Sequence, residues 1–394
     1  MIFILAIVFL IDIKWWPWYE KNSQKEEFNS ENFLENLKVI PWTIFQWPTN
    51  ELYTQYGKFL DSTDKYLKLE TYDFTNKFFK TRFQNLSNRW VPVQIILENL
   101  KEIPGIIFQW PTNELYTQYE NFLNSTDKYL KLETYDFTNK FFKTRFQNLS
   151  NRWVPVQIIL ENNKYQQYQN TFRQLQEYFS WDENIELRSD EQMWTSYVHA
   201  KFTLNEDAFR VQTANLTKSS FESNREHFFY SNDSKFHDSL EKLVNADWAW
   251  DDLSTLNLHP NLVVCPRNCR DVIETLLENA KKSIVIQTQY IVDDEIMDIL
   301  REKSSGVDMA IIVADTDDNY DLLSYFGPWI FRSLKKRYNH TKIILVDEKY
   351  LLLWSMNLSS NSLDKNREIW IILMDTGHIA KFEKWFKKDW ADSI

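Results

Sequence analysis

The sequence predicts an α/β protein made of two similar halves, and three observations predict it. Residues 37 to 99 recur almost verbatim as residues 100 to 162. Within each copy, apolar runs of strand length alternate with stretches of helical period. Further on, a short histidine-lysine pattern occurs twice, 141 residues apart, each time with the same residues following it. Alternating strands and helices imply sheets covered by helices, read here as mixed and mostly parallel, one per half and packed pseudo-symmetrically.

The elements follow in order. Ile2 to Ile13 is an apolar run broken only by Asp12, too short to span a bilayer. It reads as a signal core or an anchor, with a buried strand or helix as the alternative, so the chain is expected to be membrane-associated or exported. Residues 14 to 36, with Trp15, Trp16 and Trp18, read as a linker at a membrane surface. Each repeat unit then reads, in the numbering of the first copy, as strand Thr43 to Trp47, helix Glu51 to Leu60, strand Tyr66 to Phe74, helix Asn76 to Leu86 and strand Val91 to Glu98. A helical stretch near Tyr165 to Phe179 and a hairpin from His199 to Ala214 complete the first half, residues 100 to 250. The second half, 251 to 394, repeats the order: a strand at Leu262 to Cys265, a helix at Arg270 to Lys281, a strand at Ser283 to Tyr290, a helix at Asp293 to Lys303, a strand at Val307 to Val313, and a hairpin from His340 to Ser355. Both halves close on Asp-Trp, at Asp247-Trp248 and Asp389-Trp390. The second half has one upstream module and the first has two, so unit 37 to 99 is read as supernumerary.

The doubled pattern carries the chemistry. The first occurrence is His199-Ala-Lys201, then Asn215, then Asn224-Arg225-Glu226; the second is His340-Thr-Lys342, Asp347, Asn357 and Asn366-Arg367-Glu368. A lysine two residues along a strand from a histidine shares its face, so each motif delivers one imidazole and one ammonium together. Displacement at a phosphodiester needs a neutral nucleophile on one side of phosphorus and an acid on the other, which one histidine cannot supply at once. The other histidines, His227, His237, His259 and His378, lack this context and read as surface or boundary residues. Cys265 and Cys269, spaced C-x3-C, have no partner ligands for zinc and read as packing or an incidental disulfide.

The doubled H-x-K pattern with its downstream asparagine and Asn-Arg-Glu resembles the phospholipase D superfamily. The resemblance implies a phosphohistidine mechanism without metal or other cofactor. His199 would attack and His340 would protonate the leaving alcohol. Lys201, Lys342, Asn215 and Asn357 would hold the non-bridging oxygens, and Glu226 and Glu368 would each orient the imidazole of their own half. Asp347, in the family's aspartate position, looks structural, tying the hairpin turn; its counterpart five residues after Lys201 is Glu206. The family's small turn pair is replaced by Gln212-Thr213 and Trp354-Ser355.

Function is narrowed further by charge. The formal net charge of −11 argues against nucleic acid, which needs a basic footprint. The expected substrate is a phospholipid at a membrane surface, with water or an alcohol as acceptor and a monomer sufficient for a complete site. A phospholipase D-type phosphodiesterase is the leading reading. A cardiolipin synthase-type phosphatidyltransferase is the alternative, followed by a metal-independent nuclease or an inactive scaffold.

Composition adds one anomaly. The chain has 5 glycines and 17 tryptophans, whereas glycine makes up about 7% of an average globular protein. Trp42 stands where the second copy has Gly105, and Trp354 stands where the family pattern has glycine, at a place where a ring would crowd the phosphate pocket. Trp90, Trp153 and Trp370 also occupy glycine-like places. The expectation is a gene in which UGA encodes glycine, written here as tryptophan.

Overall fold

The computed structural model describes residues 99–112, 114–162 and 171–394. The N-terminal apolar segment, the linker and the first repeat copy lie outside these residues, apart from position 99.

Strand β1 (Ile106–Trp110), helix α1 (Glu114–Asn124), β2 (Leu130–Thr134), α2 (Lys140–Asn151) and β3 (Val156–Leu160) form the second repeat copy, at the places its periodicity predicts. Then come α3 (Thr171–Tyr178), β4 (Ile185–Ser189), the hairpin β5 (Phe202–Leu204) and β6 (Phe209–Gln212), the short α4 (Lys218–Glu222), β7 (Glu226–Ser231) and α5 (Ser234–Ala249). The second half runs β8 (Leu262–Cys265), α6 (Cys269–Glu278), β9 (Ser283–Thr288), α7 (Asp294–Lys303), β10 (Asp308–Ala314), α8 (Tyr320–Ile330), β11 (Phe331–Leu334), the hairpin β12 (Lys342–Val346) and β13 (Tyr350–Trp354), α9 (Ser360–Asp364), β14 (Glu368–Leu373) and α10 (Thr376–Ala391).

Each half is one seven-stranded sheet. The orders are β4-β3-β2-β5-β6-β7-β1 and β11-β10-β9-β12-β13-β14-β8, the same topology twice. Among the strands of the described residues, parallel pairing within the sheets is confined to β2-β3-β4 and β9-β10-β11, and the hairpin strands and the β1 and β8 edges are antiparallel. The sheets are therefore mixed, with the antiparallel strands in the majority. The sequence order explains this: a βαβ crossover gives a parallel neighbour, whereas a short hairpin gives only an antiparallel one.

The two sheets meet through their hairpins. Phe202, Phe209, Val211 and Phe229 of the first sheet pack with Ile343, Leu345, Leu351, Leu353, Ile369 and Ile371 of the second. Period-two alternation sends the other set of side chains in each sheet to an outer core under helices. Both sheets are thus buried on both faces, which is why their strands read as nearly continuous apolar runs. Helices α5 and α10 begin alike, with Asp233 accepting from the Phe236 amide at 2.9 Å and Asp375 from the His378 amide at 2.8 Å.

Several expectations are corrected. His227, His237 and His378 are buried rather than superficial: His237 Nε2 bonds the Asn205 carbonyl at 2.6 Å, His378 Nε2 bonds that of Gly105 at 2.9 Å, and His227 Nδ1 meets the Thr341 hydroxyl. His259 is intermediate in exposure, as a boundary residue is expected to be. Cys265 and Cys269, by contrast, take one of the two roles expected of them and are joined in a disulfide. Trp354 does not crowd a phosphate pocket: it is fully buried in the outer core of the second half, with its ring 4.9 Å from that of Trp370. The steric argument for glycine therefore fails at that position.

Other tryptophans support the glycine expectation on different grounds. Trp153 (φ 64°) and Trp250 (φ 58°) sit in the left-handed region at the C-terminal ends of α2 and α5, where glycine is the usual residue. Trp153 is 78% exposed, so its ring gains little in return for the strained backbone. The indole nitrogens of Trp354 and Trp370 are buried without an acceptor among the described residues. At Gly105 a Cβ would lie 2.4 Å from the Phe229 ring, so the Trp42 of the first copy, as written, does not fit this seat. Trp153→Gly is expected to stabilise the protein by about 1 kcal/mol, and peptide mass mapping of the native protein should find glycine at 153 and 250. Tryptophan mass at both positions, with no gain in stability from the substitution, would refute the recoding.

Candidate active site

The site forms where the start of each hairpin meets the other half. His199 and His340 lie just before β5 and β12, and each backbone is tied to the opposite Asn-Arg-Glu segment. His199 N bonds Arg367 O at 2.8 Å, and His340 N bonds Arg225 O at 3.1 Å. Isolated parallel bridges, Val198 with Arg367 and Arg225 with Asn339, complete this exchange. The consequence is a correction to the expected pairing. His199 Nδ1 lies 2.8 Å and 3.0 Å from the oxygens of Glu368, and His340 Nδ1 lies 2.7 Å from Glu226. Each glutamate orients the imidazole of the other half.

Both glutamates are fully buried, and burial alone would raise their pKa values. Attraction and hydrogen bonding from the facing histidine outweigh it, so both are held below the usual carboxylate range. Thr213 Oγ1 donates to Glu226 at 2.5 Å and Ser355 Oγ to Glu368 at 2.6 Å. This is the work of the second residue of each altered turn pair. A carboxylate accepting at Nδ1 fixes the proton there and leaves the Nε2 lone pair available.

The imidazoles themselves are pushed down. Burial dominates for His199, with Glu368 opposing and Lys201 and Lys342 assisting, and the result is about 4. His340 is lowered by burial too, against the pull of Glu226. Both rings are neutral near pH 7, as a nitrogen nucleophile must be.

Each lysine Nζ donates to the carbonyl of its own histidine at 2.8 Å, and Lys342 also reaches Gln289 Oε1 at 3.3 Å. Burial lowers Lys201 to about 7 and Lys342 to about 8, although Glu368 and Glu226 pull the other way. An arriving anion would favour their protonated forms. Oδ1 of Asn215 and of Asn357 is buried without a donor among the described residues. Asn357 Nδ2 meets the Tyr290 hydroxyl at 2.9 Å; since that hydroxyl can donate as well as accept, turning the amide frees Nδ2 for another oxygen.

Of the residues the sequence singles out, His199, Lys201, Glu226, His340, Lys342 and Glu368 come together through these bonds and mutual electrostatics. Asp347 does not join them. It sits at the far turn of the β12–β13 hairpin, in a left-handed conformation, accepting from the amides of Lys281, Lys282 and Ser283 at 2.9, 2.7 and 3.1 Å. Glu206 does the same in the first half, accepting from the amides of Asp127 and Lys128 at 2.7 and 3.1 Å. The motif's acidic residue is structural in both halves, and the glutamate replacement is tolerated because its longer side chain still reaches the amides.

Sequence reasoning missed the aromatic rim: the Tyr135 ring lies 4.9 Å from that of His199, and the Tyr338 ring stacks at 6.3 Å from that of His340. Tyr338 stands two residues before His340, as Tyr197 does before His199, a repetition the aligned motifs contain.

Two facing imidazole–carboxylate pairs with two buried lysines bring both copies of the motif together in one site, as the resemblance to the phospholipase D superfamily implies. Comparison with known proteins agrees. The family model described as cardiolipin synthase, PLD-like domain, matches residues 119–248 and 273–390, and the chain belongs to this family within the phospholipase D superfamily. Cardiolipin synthase 1 of Bacillus anthracis is 29% identical over 138 residues, which span 32% of this chain and 27% of that protein. Cardiolipin synthase 2 of Bacillus cereus is 30% identical over 129 residues, 30% of this chain and 25% of that protein. The matched stretch is thus about a quarter of these relatives' length. Phosphatidylserine synthase from Haemophilus influenzae Rd KW20 shares the fold, with a TM-score of 0.58 at 15% identity over 77% of this chain and 91% of that one.

Proposed function

We propose that the chain is a phosphatidyltransferase that moves a phosphatidyl group to an alcohol by way of His199. The observation that carries this reading is the crossed pair of neutral imidazoles, each with Nδ1 held by a buried carboxylate of the other half. In the first step, the His199 Nε2 lone pair forms a P–N bond as the P–O bond to the leaving alcohol breaks, and His340, protonated when the anionic substrate binds, gives its proton to the departing oxygen. In the second, the acceptor hydroxyl passes its proton to His340 while its oxygen attacks phosphorus and the P–N bond breaks. Lys201 and Lys342, with Asn215 and Asn357, hold the non-bridging oxygens and stabilise the charge that builds in the pentacoordinate state. The cardiolipin synthases among the relatives favour an alcohol acceptor over water.

Product analysis tests it. Incubation with a mass-tagged phospholipid and a glycerol-bearing second lipid should give a two-phosphatidyl product, and phosphatidic acid alone would return the reading to a phospholipase. The pH dependence has a worked sign. Because kcat/KM reports the free enzyme, it should rise through about 4 as His199 loses its proton. It should begin to fall as His340, which must carry a proton to act as the acid, titrates below the usual histidine range, and fall further above about 7 to 8 as Lys201 and Lys342 lose theirs. A profile still climbing at about pH 10 would contradict the assignment of the lysines.

A further inference from the structure

The seam between the halves is built twice, and the two copies differ in what surrounds the closing aspartate. Beneath each imidazole–carboxylate pair, an arginine crosses to the aspartate that closes the opposite half. Arg225 Nη2 donates to Asp389 at 2.6 Å, and Arg367 Nε and Nη2 donate to Asp247 at 2.9 and 3.0 Å. Asp389 collects two more donors, the amides of Gln109 at 3.0 Å and Gln287 at 2.9 Å. In the first sheet the position of Gln287 is taken by Glu133: Gln287 pairs with Ile343, next after Lys342, and Glu133 pairs with Phe202, next after Lys201. Glu133 is fully buried, and neither of its oxygens receives a donor from nitrogen or hydroxyl among the described residues. Its side-chain partner is Asp247. Two buried carboxyl groups in contact need a proton between them.

We infer that Glu133 works as a carboxylic acid, sharing one proton with Asp247, and so does for Arg367, Glu368 and His199 what the Gln287 amide does for Arg225, Glu226 and His340. It is a positioning residue present in one half only, and its link to the nucleophile rests on the reading of His199 given above. The surroundings agree. Burial and then the Asp247 charge push Glu133 well up, with Arg367 opposing. Asp247 is also raised by burial, although Arg367 and the Glu133 hydrogen bond pull it back. The nearby ionisable groups are otherwise engaged: Lys131 of β2 bonds Glu241 and Asn245 of α5 at 2.9 and 2.8 Å, and Arg188 of β4 donates to the Trp248 carbonyl.

The sign follows from linkage. A glutamate that keeps its proton when folded, and loses it near 4.5 when unfolded, weakens folding as pH rises from 4.5 toward the raised value. The loss is up to tenfold in the folding constant per pH unit. Glu133→Gln supplies a neutral donor and removes that loss. Denaturant unfolding of the full chain from about pH 5 to about pH 8 should show the variant-to-parent ratio of folding constants growing with pH, up to tenfold per unit. A ratio that stays constant overturns the shared proton.

The positioning role is read separately. Glu133→Ala should lower kcat roughly tenfold with KM unchanged, since misplacing a reacting group costs turnover, and Glu133→Gln should restore it. Parental kcat in the alanine variant would overturn that role. If the alanine variant does not fold, the glutamine series still decides the proton. Because unfolding is measured without substrate, failure of the transferase reading would leave the stability ratio intact.

Discussion

His199→Ala is expected to lower phosphodiester turnover by about 10⁴-fold or more and to abolish any covalent phosphoenzyme, because removing an attacking nitrogen removes the whole two-step route. His340→Ala should cost less, about 10²- to 10⁴-fold, the usual range for a general acid–base. The leaving group separates the two roles. With a nitrophenyl phosphodiester, whose leaving oxygen needs no proton, His340→Ala should still form the phosphoenzyme at near-parental rate while failing to turn it over to an alkyl alcohol. His199→Ala should form none with either substrate. Parental turnover in either variant would end the mechanism.

The second large effect tests the crossing itself. Glu368→Gln keeps the shape of the side chain but takes away the negative charge that holds the His199 tautomer at 2.8 Å and balances the imidazolium. Loss of the equivalent carboxylate in a catalytic triad costs on the order of 10⁴, and phosphoenzyme formation from the nitrophenyl substrate should fall by about 10³ to 10⁴ here. Glu226→Gln should leave that burst nearly intact and slow the steps that need His340. If each glutamate served its own half, the two variants would exchange phenotypes. Rapid-quench burst amplitudes and rates read this directly.

The crossing shows where the sequence stops being legible. His199, Lys201, Glu226 and their counterparts announce themselves by repetition, and β1 to β3 lie where apolar period and turn residues place them. The partner of each glutamate does not, because nearness along the chain points to the histidine of its own half. Only the backbone bridges between His199 and Arg367, and between His340 and Arg225, reverse that order. The closing Asp-Trp pairs were visible as a repetition, yet their task of receiving the opposite arginine needed the folded seam. Glu133 was hidden more deeply. In the sequence it is an ordinary charge on a strand, and its difference from Gln287 has meaning only once both sheets are superposed in register.

The tryptophans divide on similar lines. Composition marked them as anomalous, but the pocket argument failed at Trp354 because strand alternation turns that ring away into the outer core with Leu352 and Met356. Trp153 and Trp250 carry the case instead, through backbone angles that a sequence pattern does not display.

The central claim is that a phosphatidyl group passes through His199, held by Glu368 from the other half. Its most direct test is to quench a single turnover at alkaline pH, where phosphohistidine survives, and map the adduct by peptide mass spectrometry. The account predicts an adduct on the peptide containing His199 and its absence in the Glu368→Gln protein. An adduct on the His340 peptide alone, or one formed at parental rate without Glu368, would contradict it.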